Sequence, residues 1–387
     1  MAGHDFDQII DRTASDSMKW RYLPPGVLPM WVADSDFLCP SPVLEALQKR
    51  IAHGVLGYPK GDAMVEEAVR HWLHTRFDAT IGDGWVVPVP GLCTAIAMII
   101  ETFTAPGDGV AAFTPSYPPI INLPVKLGRK SLHVPLVREN DGYAVDFDAL
   151  EAALAQKTTT LFILCSPENP TGKVFTREEL VRMGELCLKH GVEILSDEIH
   201  CDYVHHGRHV PFVALPPEIA FHGITATAPS KTFNMAGLFA SAIVSPNRDK
   251  IALIRKNIDA HSLHVNVLGL HALHTAYMHC ASYADEVCAY VGENLRHAVD
   301  FIRERIPVLR TYMPQGTYLL WIDCARLGLD RQGLTGFFMG KAKVGPYPGW
   351  EFGPEGEGFA RLNLACPRST VTEALERIAG AVASLGG

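Results

Sequence analysis

TLFILCSPENPTGKVFTREELVRMGELCLKHGVEILSDEIH, residues 160–200, carries the reading that decides the fold. An apolar run at 160–165 ends in a loop containing Asn169, Pro170 and Gly172. TREELVRMGELCLKHG (176–191) then repeats its apolar positions at helical spacing, and VEILS (192–196) returns to an apolar strand that stops at Asp197. Working outward, the same alternation recurs: WVVPV (85–89) before TAIAMIIETFTAPG (94–107), and GVAAF (109–113) before a turn. Strand and helix in this order predict an α/β protein whose mainly parallel sheet is covered on both faces. Near residue 283 the pattern changes. YADEVCAYVGENLRHAVDFIRERIP (283–307) predicts one long helix ended by Pro307. It is followed by YLLWIDC (318–324), an irregular stretch rich in Gly and Pro, and the strand FARLNLAC (359–366). This reads as a second, smaller α+β domain. The expected division is an N-terminal arm with part of the small domain at 1–45, a large domain at 46–282 and a small domain at 283–387.

Composition narrows the function. A chain of 387 residues is comfortable for two domains. A net charge of −8 leaves no electrostatic footprint for nucleic acid. Runs such as TAIAMII fall short of the roughly 20 residues of a membrane span. The opening MAGHDFDQIIDR lacks the basic and apolar regions of a signal peptide. Nine scattered cysteines without a CxxC favour a reducing, cytoplasmic setting.

Several residues stand where such a sheet places ligands, beyond the carboxyl ends of its strands. In TATAPSKTFNMAGLFASAIV (225–244) a buried-strand pattern ends in Pro229-Ser230 and one lysine, Lys231. Desolvation lowers a lysine's pKa and makes it a nucleophile or base, although a surface lysine also suits this spot. Asp197 at a strand end needs a cationic partner, or else caps a helix. Asn169 sits in an Asn-Pro turn from which its amide can still reach a cleft. Gly91 precedes an apolar helix whose first N–H groups, with the Thr94 hydroxyl and Ser230, suit a phosphate. Arg361 within FARLNLAC either meets an anion or snorkels outward. HHGRHV (205–210) and HALHTAYMHC (271–280) are rich in histidine, but nothing marks three converging ligands, so no metal is expected.

Together, SPENPTG (166–172), SDEIH (196–200), PSKTFNMAG (229–237) and RLNLACPRS (361–369) resemble the fold-type I pyridoxal-phosphate enzymes of the aspartate aminotransferase superfamily. PMWVADSDF (29–37), GYPKG (57–61), TPSYPPI (114–120) and GFARLNLACPRS (358–369) are similar to its MalY/PatB group of cystathionine β-lyases. The likeness runs from about residue 15 to the C-terminus. It implies pyridoxal 5′-phosphate as cofactor, an amino-acid substrate, a homodimer with shared sites, and carbon–sulfur β-lyase activity with aminotransferase as the alternative. The implied catalytic set is Lys231, which carries the cofactor and acts as base at Cα, Asp197 against the pyridine nitrogen, and Tyr117 stacked on the ring. Asn169 would bond the phenolic oxygen. Leu92, Cys93, Thr94 and Ser230 would hold the phosphate, with Tyr58 of a second subunit. Arg361 would clamp the substrate carboxylate beside Ala33, Asp34 and Tyr58. Two departures from the wider superfamily remain. His200 stands where a Tyr is common, and no Arg follows Lys231 within a dozen residues.

Overall fold

The computed structural model describes residues 4–385, so the first three residues of the expected arm and the last two of the expected small domain lie outside it. Its strands are β1 (Leu28–Met30), β2 (Val86–Val89), β3 (Gly109–Thr114), β4 (Lys130–Pro135), β5 (Val137–Glu139), β6 (Gly142–Ala144), β7 (Thr159–Cys165), β8 (Glu193–Asp197), β9 (Gly223–Thr227), β10 (Ser241–Val244), β11 (Leu319–Asp323), β12 (Val344–Pro348) and β13 (Phe359–Asn363).

Seven of these form the larger sheet, in the order β2-β10-β9-β8-β7-β3-β4. All its pairings are parallel except those of β10, which runs against both neighbours. Two reversals leave β2 parallel to β9, so the strand before Gly91 also ends on the common edge. Burial on both faces is visible along β7. Leu161 and Ile163 pack with Ile96, Ile99 and Ile100 of the helix Leu92–Phe103. Phe162 and Leu164 face the other way, against Leu180, Met183 and Cys187 of the helix Arg177–His190. Side chains alternate along a strand, so a run that is apolar at every position has to be covered on both sides. The second of these helices is delimited locally. Thr176 and Glu179 form a reciprocal capping box, and Gly191 closes the other end at φ 66°.

The smaller sheet has the order β1-β12-β13-β11. The helix expected over 283–307 spans Ala281–Arg305. One expectation is corrected here: the Gly/Pro-rich stretch is not irregular throughout, because it contains β12. That strand gains its partners from afar, pairing in parallel with β1 of the N-terminal segment and antiparallel with β13. In the middle of β13, Arg361 lies opposite Trp321 on one side and Tyr347 on the other.

Candidate active site

Four parallel strands end along one edge of the large sheet and deliver the candidate residues there. Strand β8 ends in Asp197, β7 leads to Asn169, β3 to Tyr117, and β9 through Pro229-Ser230 to Lys231.

Asp197 is buried, and its carboxylate accepts one backbone hydrogen bond, from the Ile199 N–H at 3.1 Å. Burial first, and the neighbouring Glu198 charge, push it up to about 7, against that hydrogen bond and Lys231, which pull it down. A carboxylate in this position is short of a cation. Lys231 donates from Nζ to the Ala33 carbonyl at 2.6 Å. Burial is the largest influence lowering its pKa and the Arg361 charge adds to it, while Asp34, Cys93 and Asp197 oppose. The residue after it, Thr232, donates to Asp202 at 2.6 Å, which ties the lysine's loop to the segment following Asp197.

Arg361 is only 1% exposed, and among the described residues no carboxylate pairs with it. Its Nη1 donates to Asn169 Oδ1 at 2.9 Å and its Nη2 to the Trp31 carbonyl at 2.6 Å, while the buried Nε has no partner. The rings of Tyr347 and Phe352 flank the guanidinium at 4.9 and 5.0 Å. Arg361 therefore points inward and does not snorkel. A buried guanidinium satisfied only by neutral oxygens is a site for an anion.

At the other end, Gly91 takes φ 91°, a conformation open to glycine, and a Cβ there would meet the Phe239 ring at 3.1 Å. The helix Leu92–Phe103 that follows has no side-chain cap, which leaves the first-turn N–H groups of Leu92, Cys93 and Thr94 for a ligand. Cys93 Sγ lies 3.9 Å from the Tyr117 hydroxyl. Burial is the main cause raising the pKa of both groups. Ser230 is half-buried beside Lys231.

His200 is buried with Nδ1 unpartnered, and its ring lies 5.4 Å from that of Tyr318. Burial, then Lys231 and Arg361, drive its pKa well down, so it is a neutral ring. Ala33 contributes its carbonyl, which also accepts from the Tyr318 hydroxyl at 2.8 Å. Asp34 is engaged with Arg12 at 2.8 Å, though its Oδ1 is unpaired. Tyr58 is not brought in, being 99% exposed in the single chain. The sequence reading missed Tyr318, Trp31 and Asn363. Asn363 donates to the carbonyls of Val32 and Asp34, so the segment 31–34 lays consecutive carbonyls across the site. The only sequence signal for this was the place of Asn363 two residues after Arg361.

Among the described residues no group of three His, Cys, Asp or Glu side chains is placed to hold a metal. Two of the histidines of the 205–210 loop have other partners, His205 Nε2 with the Thr317 carbonyl at 2.7 Å and His209 Nε2 with Glu198 at 3.1 Å. The arrangement does fit pyridoxal phosphate. A pyridinium nitrogen answers Asp197, an aldehyde answers Lys231 and a phosphate answers the helix end.

Residues 28–378 match the family model "aminotransferase class I and II". The chain is 39% identical to cystathionine β-lyase PatB of Bacillus subtilis (strain 168), over 98% of this chain and 100% of that protein. It is 34% identical to protein MalY of Escherichia coli (strain K12), covering 98% of each. It superposes on cystalysin from Treponema denticola, a crystal structure containing pyridoxal 5′-phosphate, with a TM-score of 0.95 at 33% identity over 99% of both chains. The fold is thus the fold-type I arrangement expected, and the chain belongs to the aminotransferase class I and II family.

Proposed function

We propose that the protein is a pyridoxal-phosphate-dependent carbon–sulfur β-lyase, cleaving cystathionine and related S-substituted cysteines to a thiol, pyruvate and ammonia. The observation that carries this reading is the convergence of three incomplete groups, the carboxylate of Asp197, the desolvated amine of Lys231 and the guanidinium of Arg361. The names of PatB and cystalysin, relatives over almost the whole chain, support it.

Pyridoxal phosphate, when bound, supplies the electron sink that makes a Cα proton of an amino acid removable. The chain's own residues do the rest. Arg361 would take the substrate carboxylate through the unpartnered Nε and through Nη2, which now meets only the neutral Trp31 carbonyl, a charged and bidentate pairing that leaves Nη1 on Asn169. Lys231, whose neutral form burial favours, would receive the Cα proton on Nζ. Asp197 would favour a proton on the ring nitrogen, since that cation offsets the burial that otherwise raises its own pKa. Asn169 is held by Arg361 through its oxygen, so its Nδ2 is left to donate to the cofactor's phenolic oxygen. Tyr117 would stack on the ring, and His200, a buried neutral imidazole, would be a further cofactor contact. The bond that then breaks is Cβ–S, because a thiolate leaves more readily than carbon or an unactivated hydroxyl.

Cystathionine supplied without a keto acid tests the reading. Steady pyruvate release is expected, whereas a single turnover that resumes only when a keto acid is added would assign transamination. Arg361→Lys should raise KM about tenfold or more, by similar factors for every cysteine thioether, since a point charge cannot copy the fork. Steady-state kinetics on two substrates checks this.

The active unit in this reading is a two-fold dimer in which Tyr58 reaches the neighbour's cofactor phosphate. Val55, Leu56 and Tyr58 form an exposed apolar segment of the kind that a second copy covers. Mixing a Tyr58→Phe subunit with a Lys231→Ala subunit should restore part of the activity that each lacks, because one hybrid site carries neither lesion. No recovery after confirmed exchange, with Tyr58→Phe itself impaired, counts against sharing. The organisation that goes with this is a large unit at 46–282 and a small one at 283–387 with the arm at 1–45, supported by the pairing of β1 with β12. Nine unbridged cysteines favour a cytoplasmic setting, and among the described residues no helix is long and apolar enough to cross a membrane.

A further inference from the structure

The Lys231 amine rests on a neutral partner whose next neighbour in the chain is a charge. Nζ donates to the Ala33 carbonyl at 2.6 Å, and the Tyr318 hydroxyl donates to the same oxygen at 2.8 Å. Asp34 follows directly, and its carboxylate is held by the N-terminal segment, where Arg12 Nη2 donates to Oδ2 at 2.8 Å. Among the described residues Arg12 is its one ion-pair partner, and Oδ1 is buried without a hydrogen bond. Asp36 is supplied differently. It accepts from Lys19 Nζ at 2.7 Å and from the Trp20 indole at 2.9 Å, as well as from Arg12 at 2.6 Å. The backbone at Asp34 is fixed without Arg12, because its carbonyl accepts from Asn363 Nδ2 at 2.7 Å and from Lys19 Nζ at 3.2 Å. Losing Arg12 therefore frees one group above all, the Asp34 side chain.

We propose that Arg12 is a positioning residue for the amine of Lys231: by holding Asp34 it keeps that carboxylate off Nζ and leaves the amine on a neutral carbonyl. The proposal rests on the reading of Lys231 as attachment point and base, and extends it to the N-terminal segment. A carbonyl accepts a hydrogen bond from either form of the amine. A carboxylate favours the ammonium, which is neither nucleophile nor base. The groups facing Nζ set the sign. Burial is the largest influence lowering its pKa, and Asp34 is the strongest opposing it. Arg361 adds to the lowering, while Cys93 and Asp197 side with Asp34. His200 faces the lysine as a neutral ring. Asp34 is thus the leading charge acting on the amine, and Arg12 is the cation that offsets it.

The test reads the amine itself. Trace acetic anhydride applied to the cofactor-free chain from neutral to alkaline pH, with mass spectrometry of the peptide containing Lys231, gives the midpoint of that group. In Arg12→Gln the midpoint should rise by about one pH unit or more, the range for an opposite charge acting nearby. Arg12→Lys, a point charge in place of the fork, should give a smaller rise. Adding Asp34→Asn to either variant should return the midpoint to the parent's value or below, a reversal that a merely loosened segment cannot produce. In the holoenzyme, the pH dependence of the visible absorption of covalently held pyridoxal phosphate should move in the same direction. An unmoved midpoint in Arg12→Gln, or a rise that persists with Asp34→Asn, overturns the proposal. Should Arg12→Gln fail to fold, Arg12→Lys decides by the same two signs. If the parent cleaves no thioether, the lyase reading falls, and the amine midpoint still decides the part played by Arg12.

Discussion

Lys231→Ala is expected to lose the visible absorption of covalently held pyridoxal phosphate and at least about 10³-fold in turnover. In the proposed mechanism two functions disappear with one amine, the attachment point and the base for Cα. The surroundings explain why no other group replaces it. Nζ is desolvated and hydrogen-bonded to the Ala33 carbonyl, and burial with the Arg361 charge favours its neutral form. Within the same site His200 is neutral but fully buried with an unpartnered Nδ1, and Asp34 is already paired with Arg12. Absorption spectra and pyruvate release on the purified variant check both losses. A variant that kept substantial turnover would place the attachment on another lysine and remove Lys231 from the mechanism.

Asp197→Asn should act in opposite directions on catalysis and on the stability of the cofactor-free chain. Shape is preserved and charge is lost, so cofactor binding weakens while turnover falls by about 10²–10³-fold, the range for removal of one fixed electrostatic stabiliser. Stability follows from the raised pKa. Asp197 has an ordinary value of 3.8 and stands near 7 in the folded chain. The stabilisation associated with its proton is complete below about pH 4 and is lost as pH rises through 7. Asparagine never ionises, so the cofactor-free variant should be more stable than the parent at pH 8, with the difference vanishing toward pH 4. At about 1.4 kcal/mol for each pH unit, the ceiling is roughly 4 kcal/mol. Urea unfolding of both proteins across that range measures it. A parent equal to the variant at pH 8 would mean that Asp197 already has a cationic partner inside the chain.

Much of the candidate site was legible because its residues lie at strand ends, and strand ends are local. An apolar run that stops at Asp197, or at Pro229-Ser230-Lys231, announces its own boundary, and a parallel sheet brings such boundaries to one edge. The helix end at Gly91 is legible for the same reason. What stayed hidden involves partners far apart in the chain. Asn169 and Arg361 are 192 positions apart, and their hydrogen bond reassigns the amide oxygen that sequence alone left free. Strand β12 sits among Gly and Pro, with too little periodicity to read, and it is a strand because β1 and β13 flank it.

The sequence by itself determined the α/β alternation, the long helix before Pro307, the strand-end residues Asp197, Asn169 and Lys231 and, through its motifs, the family and cofactor. Those follow from side-chain periodicity and from which residue types can sit at a buried strand end. Tertiary structure alone decided the direction of β10 and the segment 31–34 laid carbonyl by carbonyl across Lys231, Arg361 and Asn363. Each of these depends on which distant surfaces are pressed together. That choice is made by burying the whole apolar inventory at once, and no local window of the chain records it.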